Sequence, residues 1–336
     1  MASPLLSFFT GRPNRRAVET VTPERTFADV VLPPETRRTL DQALAEVRNH
    51  ALIFVRWGLG ERHTSGLGLA FNFAGPPGTG KTICAEAIAH TLGMKLLVVN
   101  YAEVESMWMG ETPKNIASLF QAAADQKAVL FFDEADAIAG RRSAGLNLPQ
   151  EREGNLVVSV LLRELEAFNG VVIFATNLAA NFDPAFERRI RTHVRFDMPG
   201  LEERERIWQV QIHSKKTPLA HDVDFRALSE RFPSSGGDIK NAVIKAAAAA
   251  AAEPGPDADK AISQGHFERA MEDVLAAKSV MQQSLFAEDG ATTANGIART
   301  LQSIETRSHR ATVIALISTA IALLTALAAL GVALYH

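Results

Sequence analysis

From residue 26 onward, short apolar runs alternate with stretches whose apolar positions recur every three or four residues. Runs of that first kind suit strands buried on both faces, and the second kind suits helices laid against them, so the alternation predicts a parallel α/β sheet. Strands are expected at 69–74, 95–99, 128–132, 171–175 and 193–196. Helices are expected at 81–92, 113–124 and 155–168. After Pro199 the strand pattern ends, and 201–213, 225–231, 238–252 and 266–277 read as four helices of a small all-α domain. The alanine run 246–252 favours the third of these by propensity, and Pro254 with Pro256 closes it.

The pattern changes again past residue 280. Residues 281–310 are polar and contain Gly, Thr and Ser, which suits a tether. Residues 311–334 contain no charge over 24 positions, about 36 Å as a helix against a hydrocarbon core of about 30 Å. Eleven of them are Leu, Ile or Val, so a transmembrane helix is expected. Arg307, His309 and Arg310 just before it place the preceding body on the cytosolic side. At the other end the apolar stretch 4–9 is short and its arginines follow it, which is not the order of a secretory signal. The expected organisation is a tail at 1–25, a large α/β domain at 26–198, a helical lid at 199–280, a linker at 281–310 and a membrane span at 311–334.

Composition narrows the chemistry. In 336 residues, 35 basic side chains nearly balance 38 acidic ones, for a net charge of -3. No global field draws the chain to nucleic acid, and no basic run interleaved with aromatics makes a local patch, so no nucleic-acid partner is expected. One cysteine, Cys84, excludes an internal disulfide and suits a reducing compartment.

The residues that carry chemistry sit at strand ends. Gly75, Pro76, Pro77, Gly78, Thr79, Gly80, Lys81 and Thr82 follow the first parallel strand and open a helix, the context of a phosphate-binding loop. Its glycines let backbone N–H groups wrap phosphates. Lys81 is expected to reach the terminal phosphates, and Thr82 to offer its hydroxyl to Mg²⁺. The strand 128–132 delivers Asp133 and Glu134 at its C-terminal end, where open α/β sheets bind ligands. Asp133 suits a metal held through water, and Glu134 suits a general base. The strand 171–175 ends near Asn177, whose neutral amide can position a water.

Taken in order, these segments resemble the AAA+ ATPases, specifically the AAA subgroup of protein-remodelling motors, over about residues 26–280. The resemblance implies ATP and Mg²⁺ as ligands, with 75–82 as the Walker A loop, Asp133 and Glu134 as Walker B, and Asn177 as sensor 1. It also implies that Arg188 and Arg191 are arginine fingers reaching into a neighbouring subunit's site, hence a homo-oligomeric ring, usually a hexamer. Trp108, Met109 and Gly110 match the pore loop with which the family grips polypeptide. Gly236, Gly237 and Asp238 stand where many members carry a sensor-2 arginine, and Lys240 is a candidate substitute. No His-Glu-x-x-His occurs in the sequence. The implied function is a membrane-tethered ring that couples ATP hydrolysis to remodelling of protein substrates. The alternative is an ATP-dependent assembly factor or nucleotide switch for a membrane-associated protein complex.

Overall fold

The computed structural model describes residues 18–62, 68–100, 112–137, 149–177 and 184–280. The chain divides into two compact units, Met1–Met271 and Glu272–His336. In the first, five strands lie parallel in one sheet: β2 (Leu69–Ala74), β3 (Lys95–Asn100), β4 (Ala128–Asp133), β5 (Val171–Thr176) and β6 (Thr192–Arg195). A sixth, β1 (Val18–Val21), pairs antiparallel with β3, Val18 opposite Val99 and Val21 opposite Leu96. The order across the sheet is β1-β3-β4-β5-β2-β6.

The expectation of five parallel strands is thereby corrected to six in a mixed sheet. Val18–Val21 reads Val-Glu-Thr-Val, too short and polar to announce a strand by pattern. It becomes one because the edge of β3 offers unpaired backbone groups, and covering that edge satisfies them.

Strand side chains alternate between two faces. On one face Leu97, Val99, Leu130, Phe132, Val172 and Phe174 meet helices α4 (Thr112–Gln126) and α5 (Pro149–Ala167) through Ile116, Phe120, Leu161 and Leu165. Phe132 and Phe174 stack there at 5.2 Å between ring centres. On the other face Phe71, Phe73, Val129, Phe131 and Ile173 meet α1 (Pro34–Arg48) and α3 (Lys81–Leu92) through Leu40, Leu44, Cys84, Ala85 and Ile88. Helices on both faces bury the central strands completely, which is why those strands are nearly continuous in apolar residues.

Between α1 and β2 the chain makes a π-helical turn, Ala51–Arg56, and a short helix α2, Leu59–Arg62. A short helix α6 (Pro184–Glu187) leads to β6. After β6 come helices α7 (Leu201–Gln211), α8 (Phe225–Arg231), α9 (Gly236–Ala252) and α10 (264–280). Trp208 of α7 is fully buried against Phe225 and Phe267. The Arg204 guanidinium donates to the carbonyls of Pro199 and Ser229, tying α7 to its flanks.

Residues 311–334, expected to span a membrane, lie outside the described residues. Among the described residues no helix is long and apolar enough to cross one.

Candidate functional site

The loop from Gly75 to Gly80 turns the chain out of β2 and into α3, and two of its glycines are sterically required. A side chain at Gly75 would place its Cβ 1.9 Å from the Phe196 carbonyl oxygen, because β6 passes directly beside it. Gly80 caps α3 at φ 98°, a left-handed conformation that side chains resist. Thr79 fastens the loop internally, its hydroxyl donating to the Pro76 carbonyl at 2.8 Å.

Lys81 lies in the first turn of α3, with its ammonium folded back over the loop. It donates to the carbonyls of Gly75 (2.6 Å) and Pro76 (2.9 Å) and to Oδ1 of Asn177 (2.8 Å). Two sequence segments some ninety residues apart thus meet at one cation. Burial lowers the Lys81 pKa below that of a free lysine, opposed by the carboxylates of Asp133 and Asp136.

Asp133 ends β4, and its Oδ1 accepts from the backbone N–H of Glu134 at 3.0 Å. Glu134 itself is exposed and left-handed at φ 51°. A non-glycine residue held there costs about 1–3 kcal/mol, a strain that in folded proteins gathers at working sites. Asp136, just beyond, accepts from the Thr176 hydroxyl at 3.0 Å, which locks the end of β4 to the end of β5.

These groups open into one cavity of about 370 Å³, lined by the loop, Thr82, Asp133, Glu134 and Asn177. Its far wall comes from residues that the sequence did not single out: Asp29, Val30 and Val31 before α1, and Ile207, Val210 and Gln211 on α7. Nothing local in those residues marks them, because their role comes from being folded across the sheet. Asp29 is held in place by the backbone N–H of Thr26, a bond that lowers its pKa. From α9, Gly237 donates its N–H to the Gly78 carbonyl at 3.0 Å, so the start of that helix rests on the phosphate loop. Lys240, a turn further on, lines the cavity and makes no ion pair among the described residues. Polar loop on one side and valine and isoleucine on the other suit a ligand with a charged end and a flat apolar end.

The two candidate arginines lie elsewhere. Thr192 stands beside Phe71 in the sheet register, so the segment before it flanks the N-terminal end of β2, whereas the phosphate loop leaves the C-terminal end. The six residues of β2 separate those ends by about 20 Å at roughly 3.3 Å per residue. Arg188 is exposed, with no ion pair among the described residues. Arg191 pairs with Glu46 of α1 at 2.8 Å and donates to the Gly68 carbonyl at 2.8 Å. Between them Arg189 pairs with Glu166 at 2.5 Å. Trp108, Met109 and Gly110 lie outside the described residues.

A mixed sheet with five parallel strands, a glycine-rich loop leading from β2 into a helix, and two acids at the end of β4, two strands away across the sheet, define a phosphate-loop α/β protein. Residues 71–198 match the model of the ATPase family associated with various cellular activities, AAA. The chain is 40% identical over 209 residues to Protein CdcH of Halobacterium salinarum, a match covering 60% of this chain and 27% of that protein. To the ATP-dependent zinc metalloprotease FtsH 3 of Sphaerobacter thermophilus it is 35% identical over 280 residues, 81% of this chain and 54% of that one. To the cell division cycle protein 48 homolog of Archaeoglobus fulgidus it is 35% identical over 218 residues, 60% and 29%. Residues 71–198 are thus an AAA ATPase domain. The chain spans about a quarter to a half of the length of these three relatives.

Proposed function

We propose that this chain binds and hydrolyses ATP in an oligomeric ring, as an AAA motor that remodels protein partners at a membrane surface.

 The observation that carries this reading is the meeting of Lys81, Asn177, Asp133 and Glu134 on one cavity, brought there by the ends of three neighbouring strands. The polar half of the cavity takes the triphosphate and the apolar half takes the base. Lys81 releases the loop carbonyls and turns its ammonium to the phosphates. Glu134, exposed at the cavity and held in a strained turn, orients the attacking water and accepts its proton. Asn177 holds the other side of that water.

The fit for Mg²⁺ rests on donor chemistry: the Thr82 hydroxyl and the Asp133 carboxylate are hard oxygen ligands lining the same cavity. The ion would neutralise phosphate charge, and those two residues would hold it.

Arg188 completes the site of the next subunit. It stands at the opposite end of the strands from its own phosphate loop and is uncommitted to any ion pair among the described residues, which supports action in trans. Arg191, engaged by Glu46 and Gly68, serves as the clamp that fixes the segment carrying Arg188. Remodelling of protein substrates, the pore role of Trp108, Met109 and Gly110, and the membrane tether at 311–334 complete the reading.

The test is a pair of variants. Glu134→Gln should retain ATP binding while turnover falls by about 100-fold or more, the scale of general-base loss. Lys81→Ala should lose binding itself. Equal behaviour of the two in a nucleotide-binding assay would overturn the division of roles.

A further inference from the structure

The segment between β1 and α1 forms neither helix nor strand, so its backbone groups need partners outside regular structure. Two of them find the same one. The N–H groups of Glu24 and Arg25 both donate to Oε1 of Glu86, at 2.9 and 3.1 Å. Immediately after, a closed turn forms: the Thr26 N–H and hydroxyl donate to Oδ2 of Asp29 at 2.8 and 3.0 Å, and the Asp29 N–H returns to the Thr26 carbonyl at 3.0 Å. The Ala28 N–H donates to the Thr26 hydroxyl at 3.1 Å. With 24–25 held and the turn closed, the direction in which Asp29, Val30 and Val31 leave it is set, and those three residues wall the cavity.

Glu86 is half-buried and makes no ion pair among the described residues. Its carboxylate is committed instead to those two amides, and an ionised acceptor makes shorter and stronger bonds than a neutral one. In the sequence it stands between Ala85 and Ala87 and reads as a solvated helix position. It shares α3 with Lys81 and Thr82, and five residues separate it from Lys81, about 7.5 Å along the axis at roughly 1.5 Å per residue. One helix therefore carries the phosphate-binding end of the cavity and anchors the wall that faces the other end.

We propose that Glu86 is a positioning residue for nucleotide binding: through the amides of Glu24 and Arg25 it fixes the wall made by Asp29, Val30 and Val31, and so the seat of the base, at a set distance from Lys81. It does not itself line the cavity. This rests on the reading above, in which the apolar half of the cavity takes the base. The two halves of the ligand then respond differently to loss of the anchor. Inorganic triphosphate carries the phosphates without a base, so it depends on the loop and not on the wall.

Titration calorimetry of the full chain with Mg-ATP and with Mg-triphosphate, alongside steady-state hydrolysis of ATP, tests this. Glu86→Ala should raise Kd and KM for ATP about tenfold, which converts to about 1.4 kcal/mol. Its kcat should hold within about twofold, the pattern of lost uniform binding, and its affinity for triphosphate should not change. Glu86→Gln keeps an oxygen acceptor of the same reach and should recover most of the loss. Thr26→Val loosens the turn without touching α3, so it should show the same ATP-selective loss, and it carries the test if Glu86→Ala does not fold. Hydrogen exchange of the amides in 24–29 should quicken in Glu86→Ala. An unchanged ATP affinity in that variant overturns the proposal. So does an equal loss for ATP and triphosphate, which would make Glu86 a support of α3 and its loop. A parent that binds ATP no more tightly than triphosphate removes the apolar half as the seat of the base, and the proposal with it. A parent that prefers ATP, with the full preference kept in Glu86→Ala, removes the proposal alone.

Discussion

At the residue scale, the site depends on one buried cation. Lys81 has its pKa lowered by burial, so its folded value lies below the unfolded one, and the protonated form is the one the fold disfavours. Its contribution to stability therefore rises as pH climbs through the folded value toward 10.5. Phosphate binding needs the ammonium and runs the opposite way. Affinity for ATP should fall with rising pH in a window that begins below 10.5, while thermal stability shows no parallel loss from this group; titration calorimetry and melting curves on one preparation separate the two. An affinity unchanged until free lysine titrates would show that Lys81 is not so shifted. Lys81, Asp133 and Glu134 were legible because each stands at a fixed offset from a strand end. Asp29, Val30 and Ile207 were not, because only folding brings them to the cavity.

At the element scale, β6 and its preceding turn separate two arginines that the sequence treats alike. Arg188 is open and Arg191 is clamped to α1. Arg188→Ala should abolish hydrolysis and leave nucleotide affinity nearly intact. Mixing it with Glu134→Gln subunits should restore some activity, since a site with an intact Glu134 then receives an intact Arg188 from its neighbour. Absence of rescue in rings shown to be mixed would exclude action in trans. Arg191→Ala should cost at least as much as Glu46→Ala, since it also loses the bond to the Gly68 carbonyl, and the double variant should be no worse than Arg191→Ala alone. The strands β2 to β6 and helix α3 were legible from apolar runs bounded by turn residues. Strand β1 was not: four residues carry too little pattern, and its pairing depends on an edge formed by residues nearly eighty positions later.

At the scale of the whole molecule, the proposed motor is tied to a membrane and acts on a protein substrate. If residues 311–334 cross the bilayer, the intact chain should resist carbonate extraction, and a truncation after Arg310 should be soluble and still hydrolyse ATP. Carbonate release of the intact chain would remove the tether from the reading. If Trp108 grips substrate, Trp108→Ala should keep ATP binding and basal hydrolysis within a few-fold of the parent while abolishing substrate unfolding. A packed Trp108 would instead lose about 3–5 kcal/mol of stability on truncation, visible as early melting. A stable variant with undiminished unfolding activity would favour the nucleotide-switch alternative.

The sequence by itself determined the parallel strands, the phosphate loop and the acids at the end of β4, since each is written in contiguous residues whose spacing carries the chemistry. Only the tertiary structure decided that the sheet has a sixth, antiparallel strand, that Asn177 meets Lys81, and that valine and isoleucine from both sides of the loop wall the cavity. It also decided that Arg191 is engaged within its own chain while Arg188 is left open. Each of those depends on pairings between distant segments, whose partners are selected by burial and hydrogen-bond satisfaction across the whole fold rather than by any local pattern.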